Sequence, residues 1–139
     1  MNVLFLLTPK AEVSYLFDTN TLKEGLEKIE TDGFSSVPVI SENGDFAGSV
    51  SEGDFLRYIA AHLNSIDICD ENIHISDIIS KNKSVSAVHI DANTDELTDT
   101  VMNQNFIPIV DGRNKFIGII TRKAVISSLI DKNKGIDHS

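Results

Sequence analysis

The sequence predicts an α+β fold built from two copies of one unit, each with the element order β-α-β-β-α. An internal repeat carries this prediction, since three pairs of identical residues recur at a spacing of 70 positions: Pro38 and Pro108, Phe46 and Phe116, and Gly48 and Gly118. A unit of this size cannot enclose a hydrophobic core alone. We therefore expect the two copies, called the first and second repeats, to pack against each other.

The first repeat contains apolar patterns typical of both strands and helices. Its strands are predicted at 13–17, 37–40 and 46–50, and its helices are predicted to start after 18–21 and at 51. Apolar residues between Leu22 and Ile29 share one helical stripe, and the polar residues before them are suited to capping that helix. Gly33 suits the position just past the helix end. The Asn43-Gly44 pair between the last two strands is a strong hairpin signal.

The second repeat shows the same order of elements. Its strands are predicted at 87–90, 107–110 and 115–120, and its helices carry the stripes Leu97 with Val101 and Val125 with Leu129. Asn20 and Asn93, within the two capping segments, are 73 positions apart rather than 70. We therefore expect the first helix of the second repeat to be shorter by three residues, which is about one helical turn.

The expected domain boundaries follow the order of the repeats. They place 1–63 in the first repeat with an N-terminal helix, 64–74 in a polar linker, 75–131 in the second repeat and 132–139 in a flexible tail. The opening run lacks the basic start of a signal peptide and is too short to span a bilayer. We interpret it as a short helix ended by Pro9. Residues 75–80 resemble a similar helix that opens the second repeat.

Composition argues against several classes of partner. The 139 residues are 41% hydrophobic and 24% charged, which is ordinary for a globular protein with one real core. The net charge of −9 and the pI of about 4.7 argue against duplex nucleic acid or an anionic membrane as the main partner. Cys69 is the single cysteine, which leaves no internal disulfide and fits a reducing cytoplasm.

The sequence offers no constellation typical of an enzyme or of a metal site. Four histidines lack the spacing of metal ligands: His62, His74, His89 and His138. We find no nucleophile paired with a base and no pair of acids placed for catalysis. Cys69 has no basic neighbour in the sequence that would activate its thiol. We therefore predict a binding module without a catalytic or metal site and without a required cofactor.

Two related junctions are the strongest candidates for a binding site. The first junction, 48–54, ends a strand at Ser51 and has a carboxylate at Asp54, whereas the second junction, 118–124, has Thr121 and Ala124 at the equivalent positions. Backbone N–H groups gather where a strand passes into a helix, and they favour an anion or a sugar-phosphate. Only the first junction also supplies a carboxylate.

The ordered set of motifs resembles a tandem pair of CBS domains, known as a Bateman module. The resemblance covers about 3–130 and rests on Thr8-Pro9, on the Val-Pro-Val and Ile-Pro-Ile strands around Pro38 and Pro108, and on Gly48, Ser51 and Asp54. It implies two β-α-β-β-α repeats packed about a pseudo-twofold axis, with related ligand sites in the cleft between them. The implied regulatory ligands contain adenosine: AMP, ADP, ATP, S-adenosylmethionine or cyclic di-AMP.

The resemblance also implies roles for individual side chains at the junctions. Asp54 would bind the ribose hydroxyl groups, and Ser51 would help to hold the ribose or a phosphate. Thr121 keeps the hydroxyl position in the second repeat, but Ala124 stands where the family has its ribose aspartate. The resemblance therefore implies one complete site and one incomplete site in each chain.

Further positions match places that line the ligand in related modules. Phe34, Ser36 and Val37 are similar to residues of the family's adenine pocket, and Lys10, Arg122 and Lys123 match places or neighbours of places that supply cations to phosphates. Such local cations would be needed because an acidic chain otherwise repels a nucleotide. The resemblance implies that Lys123 serves the complete site, and that the module senses an adenosine nucleotide and controls an unidentified protein partner.

A structural interpretation explains several of the same residues. Ser51 with an acid three positions later is a helix capping box, and this role can coexist with ligand binding. Lys10, Arg122 and Lys123, taken singly, are typical of solvated surface charges, and Phe34 and Val37 suit a core in either interpretation. The alternative function is therefore a ligand-free dimerisation or scaffolding module, which the missing acid at Ala124 favours.

A homodimer is expected under both interpretations. The helix after Ser51 carries the apolar stripe Phe55, Ile59 and Leu63. A stripe that is left exposed on a small two-layer unit is buried by twofold pairing.

Overall fold

The computed structural model describes residues 3–79 and 85–135. The elements follow one another along the chain: α1 (Val3–Leu6), β1 (Thr8–Pro9), β2 (Leu16–Phe17), α2 (Leu22–Asp32), β3 (Ser36–Ile40), β4 (Phe46–Ser51), α3 (Glu52–Ala61), α4 (Ile75–Ile78), β5 (Val88–His89), α5 (Thr94–Asn103), β6 (Phe106–Val110), β7 (Phe116–Thr121) and α6 (Arg122–Asn133). A 3₁₀ turn, Lys10–Glu12, follows β1. Across the described residues, no helix is long and apolar enough to cross a membrane.

The strands form two sheets, and the chain forms two compact units. The first-repeat unit comprises Ser14–Lys83, and the second-repeat unit comprises Met1–Val13 with Ser84–Ser139. One sheet has the order β2-β3-β4, and the other has the order β1-β7-β6-β5. The predicted α+β fold with two β-α-β-β-α repeats is confirmed.

In the first-repeat unit, one face of the sheet is covered by helices. β2 pairs in parallel with β3, and β3 pairs in antiparallel with β4, so that Ser36 lies opposite Ser51. Eight side chains form its buried core: Leu16, Leu22, Val37, Val39, Val50, Phe55, Ile75 and Ile78. Thr21 caps α2 with the reciprocal bonds of a capping box to Glu24, and Gly33 ends the helix in the left-handed conformation.

The second-repeat unit reproduces this register 70 residues later. β5 pairs in parallel with β6, and β6 pairs in antiparallel with β7, so that Phe106 lies opposite Thr121. Its buried core contains Val3, Val88, Leu97, Val101, Ile107, Ile109, Ile120 and Val125. β1 adds a fourth strand by pairing with β7 in antiparallel.

Each of the two short helices, α1 and α4, precedes one repeat in the sequence but packs on the other. Val3 of α1 is buried in the core of the second-repeat unit, whereas Ile75 and Ile78 of α4 are buried in that of the first-repeat unit. The compact units therefore differ from the expected division at 1–63 and 75–131. An apolar helix packs where a complementary core is open, and this position is not fixed by its place in the chain.

Several boundaries also differ from expectation. The strands expected at 13–17 and 87–90 each shorten to two residues, because only these pair with a neighbouring strand. The predicted loss of one helical turn is wrong: the helix caps Thr21 and Asn93 are 72 positions apart, and α2 and α5 have 11 and 10 residues. The shortening is one residue in the helix and one in the connection that follows it.

The segments expected as linker and tail are partly ordered. The linker packs Ile66 and Ile73 against the first-repeat core, and the N–H of Leu22 donates to the carbonyl oxygen of Ile73 at 2.9 Å. α6 continues to Asn133, past the expected start of the tail. Residues 80 and 136–139, including His138, lie outside the described residues.

Candidate functional site

The first junction brings three of the predicted site residues close together. Ser36 begins β3 directly opposite Ser51, the last residue of β4, and α3 starts at the next position. The N–H of Glu52 donates to the carbonyl oxygen of Ser35 at 3.0 Å, which holds the start of α3 against β3. Asp54 follows in the first turn of α3, so the sheet register places two hydroxyl groups and one carboxylate at one end of the sheet.

Ser51 and Asp54 form the predicted capping box. The N–H of Asp54 donates to Ser51 Oγ at 3.1 Å, and the N–H of Ser51 donates to Asp54 Oδ2 at 2.9 Å. These two bonds satisfy backbone donors that a helix start would otherwise leave unpaired. Asp54 is only 8% exposed. The structural interpretation of this pair is therefore confirmed, and the carboxylate is fixed in position.

Arg57, which lies one helical turn after Asp54, also contacts this junction and was missed by the sequence analysis. Its Nη2 donates to Asp54 Oδ1 at 2.7 Å, so each oxygen of the carboxylate accepts one hydrogen bond. The Arg57 side chain is 72% exposed, whereas that of Asp54 is 7% exposed. The spacing of three residues on one helix was the available signal, since residues i and i+3 are neighbours on a helix surface.

The two apolar candidates at this junction serve mainly the core. Val37 is buried at 2% exposure and lies opposite Val50 inside the first-repeat sheet. Phe34 is half-buried and packs against the same core. The side chain of Val37 therefore offers almost no accessible surface, and Phe34 and Ser36 are the members of the predicted adenine-pocket group that keep some exposed surface.

The second junction has the same backbone but different chemistry. Thr121 Oγ1 accepts the N–H of Ala124 at 3.1 Å, which reproduces the cap without a returning carboxylate. Phe106 stands opposite Thr121, where the first junction has Ser36 opposite Ser51. The second junction therefore lacks the carboxylate and one of the two hydroxyl groups.

A buried amide, Gln104, is the other residue that the sequence analysis missed. Its Nε2 donates to the carbonyl oxygens of Ser86 and Phe106 at 2.9 Å each, and its Oε1 accepts the N–H of Ser86 at 3.1 Å. Gln104 stands 70 positions after Phe34. The second repeat thus replaces a half-exposed aromatic with an amide whose polar atoms are all engaged by the protein.

Truncating this amide tests its structural role. Gln104→Ala is expected to lower the free energy of unfolding by about 2–3 kcal/mol, because backbone groups of Ser86 and Phe106 lose buried partners. The measurement is urea unfolding followed by circular dichroism. Gln104→Ala within 0.5 kcal/mol of wild type would contradict this role. Asn103→Ala is the matched control, since its exposed amide bonds only to its own helix, at the Asp99 carbonyl oxygen.

The three candidate cations follow different ends of β7 in the second-repeat unit. Pro9 lies opposite Gly118, so Lys10 follows toward the start of β7, whereas Arg122 and Lys123 come after its end. Gly118, which lies opposite Pro9, and Thr121, the last residue of β7, are three residues apart, and three residues of strand span about 10 Å. Arg122 Nε donates to the carbonyl oxygen of Val101 at 2.9 Å, near the C-terminal end of α5. Lys123 is exposed.

The chemistry available at the first junction is recognition by hydrogen bonding. An ionised carboxylate has about four acceptor positions, and the protein uses two of them at Asp54. The side chain of Asp54 is only 7% exposed, so the acceptor positions that the protein leaves unused are largely covered. Within 3–79 and 85–135, no group of three or more His, Cys, Asp or Glu side chains could hold a metal ion.

Comparisons with known proteins agree on the family. The family model of the CBS domain matches residues 9–61 and 73–131. An uncharacterised protein of Methanocaldococcus jannaschii is 30% identical over 115 residues, which are 81% of this chain and 39% of that protein. The homoserine O-acetyltransferase of Methanococcus vannielii is 25% identical over 118 residues, which are 84% of this chain and 23% of that protein. The chain therefore spans less than half the length of either relative.

Solved structures show the same fold. CbpB in complex with c-di-AMP has a TM-score of 0.85 at 20% identity, covering 97% of this chain and 88% of its own. CBSX2 in complex with AMP has a TM-score of 0.74 at 22% identity, covering 95% of this chain and 98% of its own. These likenesses show the fold, and the matches of the family model to both repeats show that the chain belongs to the CBS domain family.

Proposed function

We propose that the chain is a regulatory module that binds an adenosine nucleotide at the first junction and thereby modulates a protein partner. The observation that carries this proposal is the fixed, nearly buried carboxylate of Asp54 beside Ser51. The solved structures of CbpB with c-di-AMP and of CBSX2 with AMP support the ligand class. We propose a regulatory role because the groups at the junction are hydrogen-bond donors and acceptors suited to holding a ligand.

The asymmetry between the junctions supports one site in each chain. Asp54 supplies a carboxylate that can accept hydrogen bonds from ligand hydroxyl groups, whereas Ala124 supplies none and the amide of Gln104 is fully engaged. A ribose has two neighbouring hydroxyl donors, so a carboxylate recognises it far better than a methyl group does. We therefore propose one nucleotide per chain, bound at the first junction.

Ligand binding is tested first by calorimetric titration of the purified chain with AMP, ADP, ATP, S-adenosylmethionine and c-di-AMP. At least one is expected to bind, and at 100 times its dissociation constant it should raise the free energy of unfolding by about 2.7 kcal/mol. No binding of any of the five at millimolar concentration would sink the proposal. A change in the free energy of unfolding, without a calorimetric titration curve, would not count as evidence of binding.

The role of Asp54 is tested by Asp54→Asn, which removes the charge and keeps an oxygen that can accept the Ser51 N–H. Binding of a ribose-bearing ligand is expected to weaken by about 1–3 kcal/mol, since hydrogen bonds to a charged group are lost. Asn93→Ala is the matched control, because it removes the cap of α5 at a typical cost of about 1 kcal/mol without touching the first junction. Equal affinity of Asp54→Asn and wild type would contradict the assigned site.

The second candidate function is a ligand-free dimerisation or scaffolding module. The complete capping box favours it, because helix capping alone accounts for the pairing of Ser51 with Asp54. Of the predicted dimer stripe, Phe55 is buried in the first-repeat core, Ile59 is half-buried and Leu63 is exposed. Leu56, which lies outside that stripe, is exposed as well. A dimer that persists without nucleotide, together with failure of all five titrations, would favour this candidate. Light scattering after size-exclusion chromatography measures the assembly.

A further inference from the structure

We infer that Arg57 is an internal competitor for Asp54, which ligand hydroxyl groups must displace from the first junction. This inference rests on the proposed function. It makes Arg57 a determinant of specificity, because a ligand hydroxyl donor replaces the hydrogen bond that the guanidinium gives up.

The guanidinium of Arg57 folds back over the first turn of α3. Its Nη2 lies 2.7 Å from Asp54 Oδ1. A Cβ atom built on Gly53 would lie 3.2 Å from Arg57 Nη1 and 3.6 Å from Ser51 Oγ. The glycine thus leaves room for the guanidinium directly beside the hydroxyl and carboxylate groups that the nucleotide is proposed to use.

Side-chain exposure shows which of the two hydrogen-bond donors to Asp54 can move. The Asp54 side chain has almost no accessible surface, and two donors cover its oxygens: the Ser51 N–H and Arg57 Nη2. The Ser51 N–H belongs to the capping box and cannot leave without opening the helix start. The Arg57 side chain is 72% exposed, so its guanidinium returns to water when it leaves Asp54. Arg57 is therefore the donor that moves when a ligand reaches Asp54.

The second repeat changes the same set of positions together. Lys123, Ala124 and Ser127 stand 70 residues after Gly53, Asp54 and Arg57. A side chain replaces the glycine, and both members of the ion pair are absent. If Gly53, Asp54 and Arg57 act together, we expect a repeat that lacks one of them to lack the others, and the second repeat lacks all three.

The test compares AMP with 2′,3′-dideoxy-AMP on Arg57→Met, which keeps an unbranched side chain without a donor. AMP should bind Arg57→Met about two- to fivefold more tightly than wild type, because the competing ion pair is gone. The dideoxy ligand lacks the hydroxyl donors, so its affinity should not change. Lys28→Met is the matched control: it removes the cation of another ion pair in the first-repeat unit, with Asp32 at 3.5 Å, and should leave both affinities unchanged.

A second readout uses the unmodified chain. The Nε–H resonance of Arg57 should shift when AMP is added and stay in place when the dideoxy ligand is added. If Arg57→Met binds AMP equally or more weakly while wild type binds it, Arg57 is no competitor and the proposed function stands. If neither protein binds AMP or any other nucleotide, both proposals fall. If Arg57→Met binds AMP and wild type does not, the result would support both proposals.

Discussion

Replacing Gly118 by alanine is expected to destabilise the second-repeat unit by about 3–5 kcal/mol. A Cβ atom there would overlap the carbonyl oxygen of Thr8 and lie 2.9 Å from Leu7 Cδ1. Gly118 also has a φ of 156°, which side chains rarely allow. The backbone oxygen can move away only if β1 separates from β7. Urea unfolding should show the loss, and amide hydrogen exchange should show faster exchange in 7–10.

Gly48→Ala is the matched control, because Gly48 is the equivalent residue of the first repeat and has a φ of 149°. Its added Cβ would lie 3.1 Å from Ile79 Cγ2, the end of a side chain that can shift. The expected cost is about 1–2 kcal/mol from backbone strain. Equal costs for the two variants would contradict the claim that the close approach of β1 to β7 makes Gly118 sensitive.

Ile75→Ala is expected to cost about 2–5 kcal/mol, because it removes a fully buried side chain and leaves a cavity. Ile75 is buried in the first-repeat core, although the sequence places it at the start of the second repeat. Its Cδ1 lies 2.7 Å from the position of a Cβ atom built on Gly25, close to Phe55. Urea unfolding measures the total loss of stability.

The location of the loss is as informative as its size. Amide exchange in Ile75→Ala should accelerate in β3 and β4 more than in β6 and β7, because Ile75 is part of the first-repeat core. Ile68→Ala provides a matched control, since Ile68 is exposed and its truncation should change stability by less than about 0.5 kcal/mol. Faster exchange confined to β6 and β7 would contradict the observed packing of α4.

The fold was predictable because local patterns recur in both repeats. The spacing of 70 residues anticipates the equivalent registers of Ser36 with Ser51 and Phe106 with Thr121. The packing of α1 and α4 was not predictable, because periodicity identifies an apolar face without naming the core that receives it. The predicted difference in helix length was wrong because it took Asn20 as the counterpart of Asn93, whereas the residue that caps α2 is Thr21.

The candidate site was predictable where a motif is local. Ser51 and Asp54 are three positions apart and form the capping box that this spacing predicts. Arg57 and Gln104 depend on the direction of a side chain in the folded structure, which the sequence leaves open. Alignment of the two repeats nevertheless contains a signal, because an aromatic at Phe34 becomes an amide at Gln104.

Mapping of amide chemical shifts during a titration with AMP tests the central claim most directly. In a ¹H–¹⁵N spectrum of the assigned chain, we predict that the largest shifts fall on the amides of Ser36 and of 51–54, and that Asp54→Asn makes them smaller at the same sub-saturating AMP concentration. Ligand-induced shifts that spare these amides and persist in Asp54→Asn would contradict the assignment of the nucleotide to the first junction.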